Sequence, residues 1–142
     1  MKSTSLLRNV LNLTIFFLLL LFTASCAAVP PGKSSMVGDW SFVSAETETY
    51  RDGMLVSKEE GAPEMPASLF LFGKDGRVFL SHRIGAWDLA DNRLMIHYGS
   101  EKRQCYELLS ISRSSMVIRW EYQPENDEPS GYRTYIIGEY TR

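Results

Sequence analysis

Residues 116–122, Met-Val-Ile-Arg-Trp-Glu-Tyr, and residues 132–140, Tyr-Arg-Thr-Tyr-Ile-Ile-Gly-Glu-Tyr, decide the fold. In an extended chain Met116, Ile118, Trp120 and Tyr122 fall on one side, and Arg119 and Glu121 on the other. In the second stretch Tyr132, Thr134, Ile136 and Tyr140 oppose Arg133 and Glu139. Alternation at a period of two with one apolar side marks an antiparallel strand between a core and water. Residues 93–98 repeat it, with Leu94, Ile96 and Tyr98 opposite Arg93 and His97.

Working outward, residues 38–49 read as a long first strand carrying Trp40 and Phe42 on one face. A turn at Asp52-Gly53 leads to a short strand over 54–58, and residues 59–67, with Pro63, Pro66 and Gly61, form a loop. Strands over 68–72 and 77–83 flank Gly73-Lys74-Asp75-Gly76, where Asp-Gly supplies the positive φ values a hairpin needs. Strands over 86–89 and 93–98 flank Asp91-Asn92. Residues 104–111, 116–122 and 132–140 complete the set, joined by a polar 112–115 turn and an acidic 124–131 loop. No helix is predicted from residue 36 onward, and turn signals every 8–12 residues indicate an all-β sandwich or barrel. Short connections between eight or nine consecutive strands favour an antiparallel up-and-down β-barrel, because closure removes the exposed edges.

The chain has 142 residues and a net charge of −2, with 15 cations and 17 acids. That length suits one domain with a small appendage. The cations are scattered without a stripe, so no nucleic-acid partner is expected. His82 and His97 have no ligand-spaced neighbours, so no metal site is expected. Ser81 and His82 are adjacent within a predicted strand and point to opposite faces, which argues against a nucleophile–base pair. No phosphate-cradling or dinucleotide fingerprint occurs, and no cofactor and no enzymatic activity are expected. The acidic run Glu125-Asn126-Asp127-Glu128 lacks the glycine and spacing of an EF-hand loop and reads as a solvated loop.

The N-terminus is different in kind. Lys2 and Arg8 precede an apolar stretch over 10–22, unbroken from Ile15 to Phe22, followed by Thr23-Ala24-Ser25-Cys26. A basic start, a short apolar run and small residues make a secretory signal, and the run is shorter than a membrane span. Residues 21–26 resemble a bacterial lipobox, in which the cysteine receives diacylglycerol and becomes the mature N-terminus; Thr23 stands where leucine is usual. The resemblance implies a signal peptide over 1–25 and lipidated Cys26 with a tether over 26–35. Ala27 after the cysteine points to the outer membrane of the cell envelope. Residues 1–25 hold two of the fifteen cations and none of the seventeen acids, leaving the remainder at −4. Such a domain gains nothing electrostatically from anionic lipid, so the acyl chains would do the holding. Cys105 is then alone, in an alternating run where it reads as a small buried hydrophobe.

Over residues 36–142 the chain resembles the bacterial lipocalin-like domain of small lipoproteins. The resemblance is carried by Val37-Gly38-Asp39-Trp40, by residues 72–78 and 85–89, by Asn92-Arg93-Leu94-Met95-Ile96, by residues 106–111 and by Tyr140-Thr141-Arg142. It implies that Trp40 plugs one end of the barrel with Arg142 packed across its indole, an arrangement contributing about 0.5–2 kcal/mol. It also implies a small hydrophobic or amphiphilic ligand held inside, for which Phe42, Tyr98, Tyr106, Trp120, Tyr122 and Tyr132 are the candidate contacts. A barrel of this size either holds one small ligand or is filled by side chains such as Leu94, Ile96, Leu108, Met116 and Ile118. A filled barrel would instead be an envelope scaffold or protein-interaction module.

Overall fold

The structure is a computed structural model that describes residues 32–64, 66–100, 103–124 and 130–142. The expected signal peptide, Cys26 and the acidic run over 125–128 lie outside the described residues. A single helical turn α1 (Lys33–Met36) precedes nine strands: β1 (Gly38–Arg51), β2 (Met54–Glu60), β3 (Leu69–Phe72), β4 (Arg77–Leu80), β5 (Arg83–Ala90), β6 (Arg93–His97), β7 (Gln104–Ile111), β8 (Ser115–Tyr122) and β9 (Tyr132–Thr141). Every pairing is antiparallel. The order runs β1-β3-β4-β5-β6-β7-β8-β9 and returns to β1, closing an eight-stranded barrel with β2 as a ninth strand outside the closure.

The length of β1 explains how one strand serves three partners. Its first residues, Gly38–Ser41, pair with β3 along one edge, and Glu46–Arg51 pair with β2 along the same edge. The other edge pairs with β9 from Ser41 to Arg51, interrupted by a bulge between Phe42 and Ser44. Beyond the point where β3 leaves β1, therefore, β1, β2 and β9 continue as an arm past the barrel wall. Bulges of this kind bend a strand and raise its twist, as barrel closure requires.

The interior follows the alternation. Leu94 and Ile96 on β6, Leu108 on β7, Met116 and Ile118 on β8, and Ile136 and Tyr140 on β9 are all buried, with Phe70, Phe72, Val78 and Trp87 supplied by β3 to β5. At the end where β1 begins, Met36, Trp40 and Phe72 are buried together. There α1 caps the barrel: Met36 is fully buried, and its carbonyl accepts a 2.8 Å hydrogen bond from the Trp40 indole. Within the described residues the helical turn therefore lies mostly in the expected tether, with Met36 in the core.

Two turns differ from the reading of the sequence. In the 73–76 hairpin only Gly76 takes a positive φ, +80°. Its amide donates to the Gly73 carbonyl at 3.2 Å while the Gly73 amide donates to Arg77 O at 2.8 Å, so Asp75 needs no left-handed backbone. The expected strand over 77–83 breaks after Leu80, and Ser81-His82 form the β4–β5 turn rather than adjacent strand positions. Ser81 takes φ +51° there, a conformation usually signalled by Gly, Asn or Asp. Cys105 is also not buried. It stands exposed on the outer face of β7 opposite Met95, because Tyr106 and Leu108 take the inward positions.

Candidate functional site

The two ends of the barrel differ. At the α1 end, Trp40 is fully buried and the Arg142 guanidinium lies 4.4 Å from its ring centroid. Arg142 is held there by its Nη1, which donates to Val37 O at 2.9 Å, and by its Nε, which donates to Arg113 O. Gly38, at φ +134°, leaves room for that guanidinium: a Cβ there would come within 3.1 Å of Nη1. The C-terminal strand thereby locks the start of the first.

At the opposite end the barrel opens into a cavity of about 840 Å³. An aromatic chain leads into it from the core: Trp87 meets Phe72 at 5.1 Å, Phe72 stacks on Phe70 at 5.4 Å, Phe70 meets Tyr106 at 6.1 Å, and Tyr106 meets Trp120 at 5.6 Å. Phe70, Tyr106, Trp120 and Tyr140 are the rings of this chain and its flank that line the cavity. Tyr98 and Tyr122 stand nearer the mouth, with Leu80, His82, Arg83, Arg103 and Glu64 around them.

Two strand glycines make that arrangement sterically possible. A Cβ on Gly138 would lie 3.2 Å from Trp120 Cζ3 and 3.1 Å from Tyr140 Cε2. On Gly85 it would lie 2.5 Å from the His97 carbonyl and 3.0 Å from Tyr98 Cδ1. Glycine inside a strand often marks such close approach. The charged and amide side chains, among them Glu64, Arg83, Arg103 and Gln104, gather around the mouth. Tyr106 Oη donates to Gln104 Oε1 at 2.9 Å, and the Arg83 guanidinium sits 5.5 Å from the Tyr98 ring centroid. Burial raises the Tyr106 hydroxyl pKa well above the ordinary phenol value, with the neighbouring Tyr98 adding to it; burial and then Tyr106 do the same to Tyr140. Both phenols are therefore neutral donors at any physiological pH.

Of the six residues expected to touch a ligand, Tyr98, Tyr106, Trp120 and Tyr122 line the cavity. Phe42 and Tyr132 do not. Phe42 packs edge-on against Tyr140 at 5.7 Å, behind the cavity wall. Tyr132 pairs with Arg51 on the arm past the barrel, where that guanidinium lies 5.5 Å from its ring centroid. Phe70, Leu80 and Tyr140 line the cavity and escaped sequence reasoning, although Tyr140 carried the signal by alternating with Glu139. Among the described residues no group of His, Cys, Asp or Glu is placed to hold a metal ion. The fold and site together define a closed antiparallel β-barrel, plugged at one end and hollow at the other. The chain matches no protein-family model, no curated protein and no solved structure.

Proposed function

We propose that the barrel binds a small amphiphilic molecule, its apolar part on the aromatic floor and its polar end at the mouth. The observation that supports this best is the 840 Å³ cavity itself, which lies within the usual 300–1,000 Å³ range of ligand sites and combines an aromatic floor with a polar and charged rim. In the same reading Cys26 carries diacylglycerol, and the domain is held at the cell envelope, on the outer membrane, by that anchor. The role is carriage or sensing of a ligand, without catalysis.

Trp120 offers the test, since it lines the cavity while Trp40 is sealed in the plug. Titration with single-tailed amphiphiles should give a saturable change in tryptophan fluorescence that a Trp120→Phe variant largely loses. Absence of any saturable change across neutral, anionic and cationic head groups overturns the ligand reading. A second reading, a protein-interaction module, draws on the hairpin tip of the arm, where Met54, Leu55 and Val56 are all exposed.

A further inference from the structure

On the outer wall of the barrel, Leu71 of β3 lies opposite Phe79 of β4, and Phe79 lies opposite Ile84 of β5. These three side chains form one unbroken row across three strands, 37%, 45% and 61% exposed. Single exposed apolar residues such as Val43 and Leu109 are ordinary, but an in-register row is not. Along β5 the outward positions continue from Ile84 through Ala86 to Asp88, and Asp88 is ion-paired with Lys33 of α1. Residues 1–31 therefore join the described fold beside this wall. Asp88 is four positions along the strand from Ile84, about 13 Å.

We propose that the wall bearing Leu71, Phe79 and Ile84 rests on the lipid bilayer that holds the N-terminal anchor. The inference rests on the reading of Cys26 as the lipidated residue. Lys33 is seven positions along the chain from Cys26, and a fully extended chain of that length reaches at most about 25 Å. An anchor in the membrane consequently keeps the start of β1 and the lower half of β5 close to the lipid surface. The hairpin tip at Asp52-Gly53 is a poorer candidate for that contact. It lies just past the far end of fourteen-residue β1, about 40 Å along the strand from Trp40. The row can enter the interface without moving any core residue, since each member already points outward. Lys33, Lys74 and Arg77 lie on the same side and are paired or close to Asp88 and Asp75, so the contact is chiefly apolar. The rim of the cavity mouth at Leu80 and Arg83 adjoins Phe79 and Ile84, so in this orientation one side of the mouth lies close to the lipid surface.

The test uses the full chain in its own envelope, with a photoreactive phenylalanine analogue placed at position 79, at position 84 or at position 109 on the opposite wall. Acyl labelling of each variant is measured in parallel. Lipid cross-links from positions 79 and 84 several-fold above those from 109, in acylated protein, are expected. Equal cross-linking at all three positions, or cross-links from 79 and 84 to protein instead of lipid, would overturn the proposal while leaving the anchor intact. Loss of acyl labelling in every variant, including the unsubstituted chain, would overturn the anchor and the proposal with it.

Discussion

Replacing Trp40 by alanine probes the plug on which the closed end depends. The indole is fully buried, donates a 2.8 Å hydrogen bond to Met36 O, and lies 4.4 Å beneath Arg142. Truncating a buried tryptophan costs about 3–5 kcal/mol through lost transfer energy and the cavity left behind. Included in that range are the orphaned Met36 carbonyl, at about 1–3 kcal/mol, and the cation–π contact, at about 0.5–2 kcal/mol. Domains of this size have about 5–15 kcal/mol in all, so the variant should be near the edge of folding. Urea unfolding of the chain from residue 27 onward is the assay. With an m-value of about 1–3 kcal/mol/M, the midpoint should fall by at least about 1 M. Trp40→Phe keeps a ring and loses the donor, so an intermediate loss is expected. A cycle with Arg142→Ala should show about 0.5–2 kcal/mol of coupling. A loss under about 1 kcal/mol for Trp40→Ala would refute the plug, because no buried indole with these contacts can be removed so cheaply.

The cavity, the phenols and one turn each give a further test. Leu80→Trp should fill part of the cavity and weaken amphiphile binding at least about tenfold, equivalent to 1.4 kcal/mol, while the protein stays folded; unchanged affinity would place the ligand elsewhere. In a spectrophotometric titration Tyr106 and Tyr140 should resist ionisation well above the ordinary phenol range, until the protein unfolds. Because their folded pKa values are raised, the stability they contribute is fully present below the ordinary phenol pKa of about 10 and is lost as the pH rises above it; ordinary titration of Tyr106 and Tyr140 in folded protein would contradict their burial. Ser81→Gly relieves a φ of +51° and should leave stability unchanged or raise it by up to about 1 kcal/mol in thermal melts, while a clear loss would show that the hydroxyl contact with Ser68 outweighs the backbone.

The barrel was legible because one-sided burial writes itself into a strand at a period of two, and β6, β8 and β9 carry that pattern without interruption. The β4–β5 turn was not, since Ser81 and His82 have no turn-forming composition and the apolar residues Val78 and Leu80 run directly into Arg83 and Ile84. Phe42 and Tyr132 mislead for a different reason. Alternation fixes the face a residue occupies but not how far along the barrel it sits. Tyr132 lies on the correct face of β9, yet past the wall, where β2 has replaced β3 as the neighbour of β1. Phe42 sits next to the Val43 bulge and is screened by Tyr140. The cavity depends on Gly85 and Gly138, whose only trace in the sequence is a missing side chain at an inward position. Cys105 shows the reverse: an apolar residue inside a strand points outward whenever its neighbours claim the interior.

The most direct measurement is native mass spectrometry of the protein isolated under non-denaturing conditions from the cells that make it. A stoichiometric small-molecule adduct, present in the unsubstituted chain, reduced by Leu80→Trp and released on denaturation, is the expected result. A bare protein mass that also stays bare after incubation with envelope lipids and single-tailed amphiphiles would contradict a ligand-binding barrel.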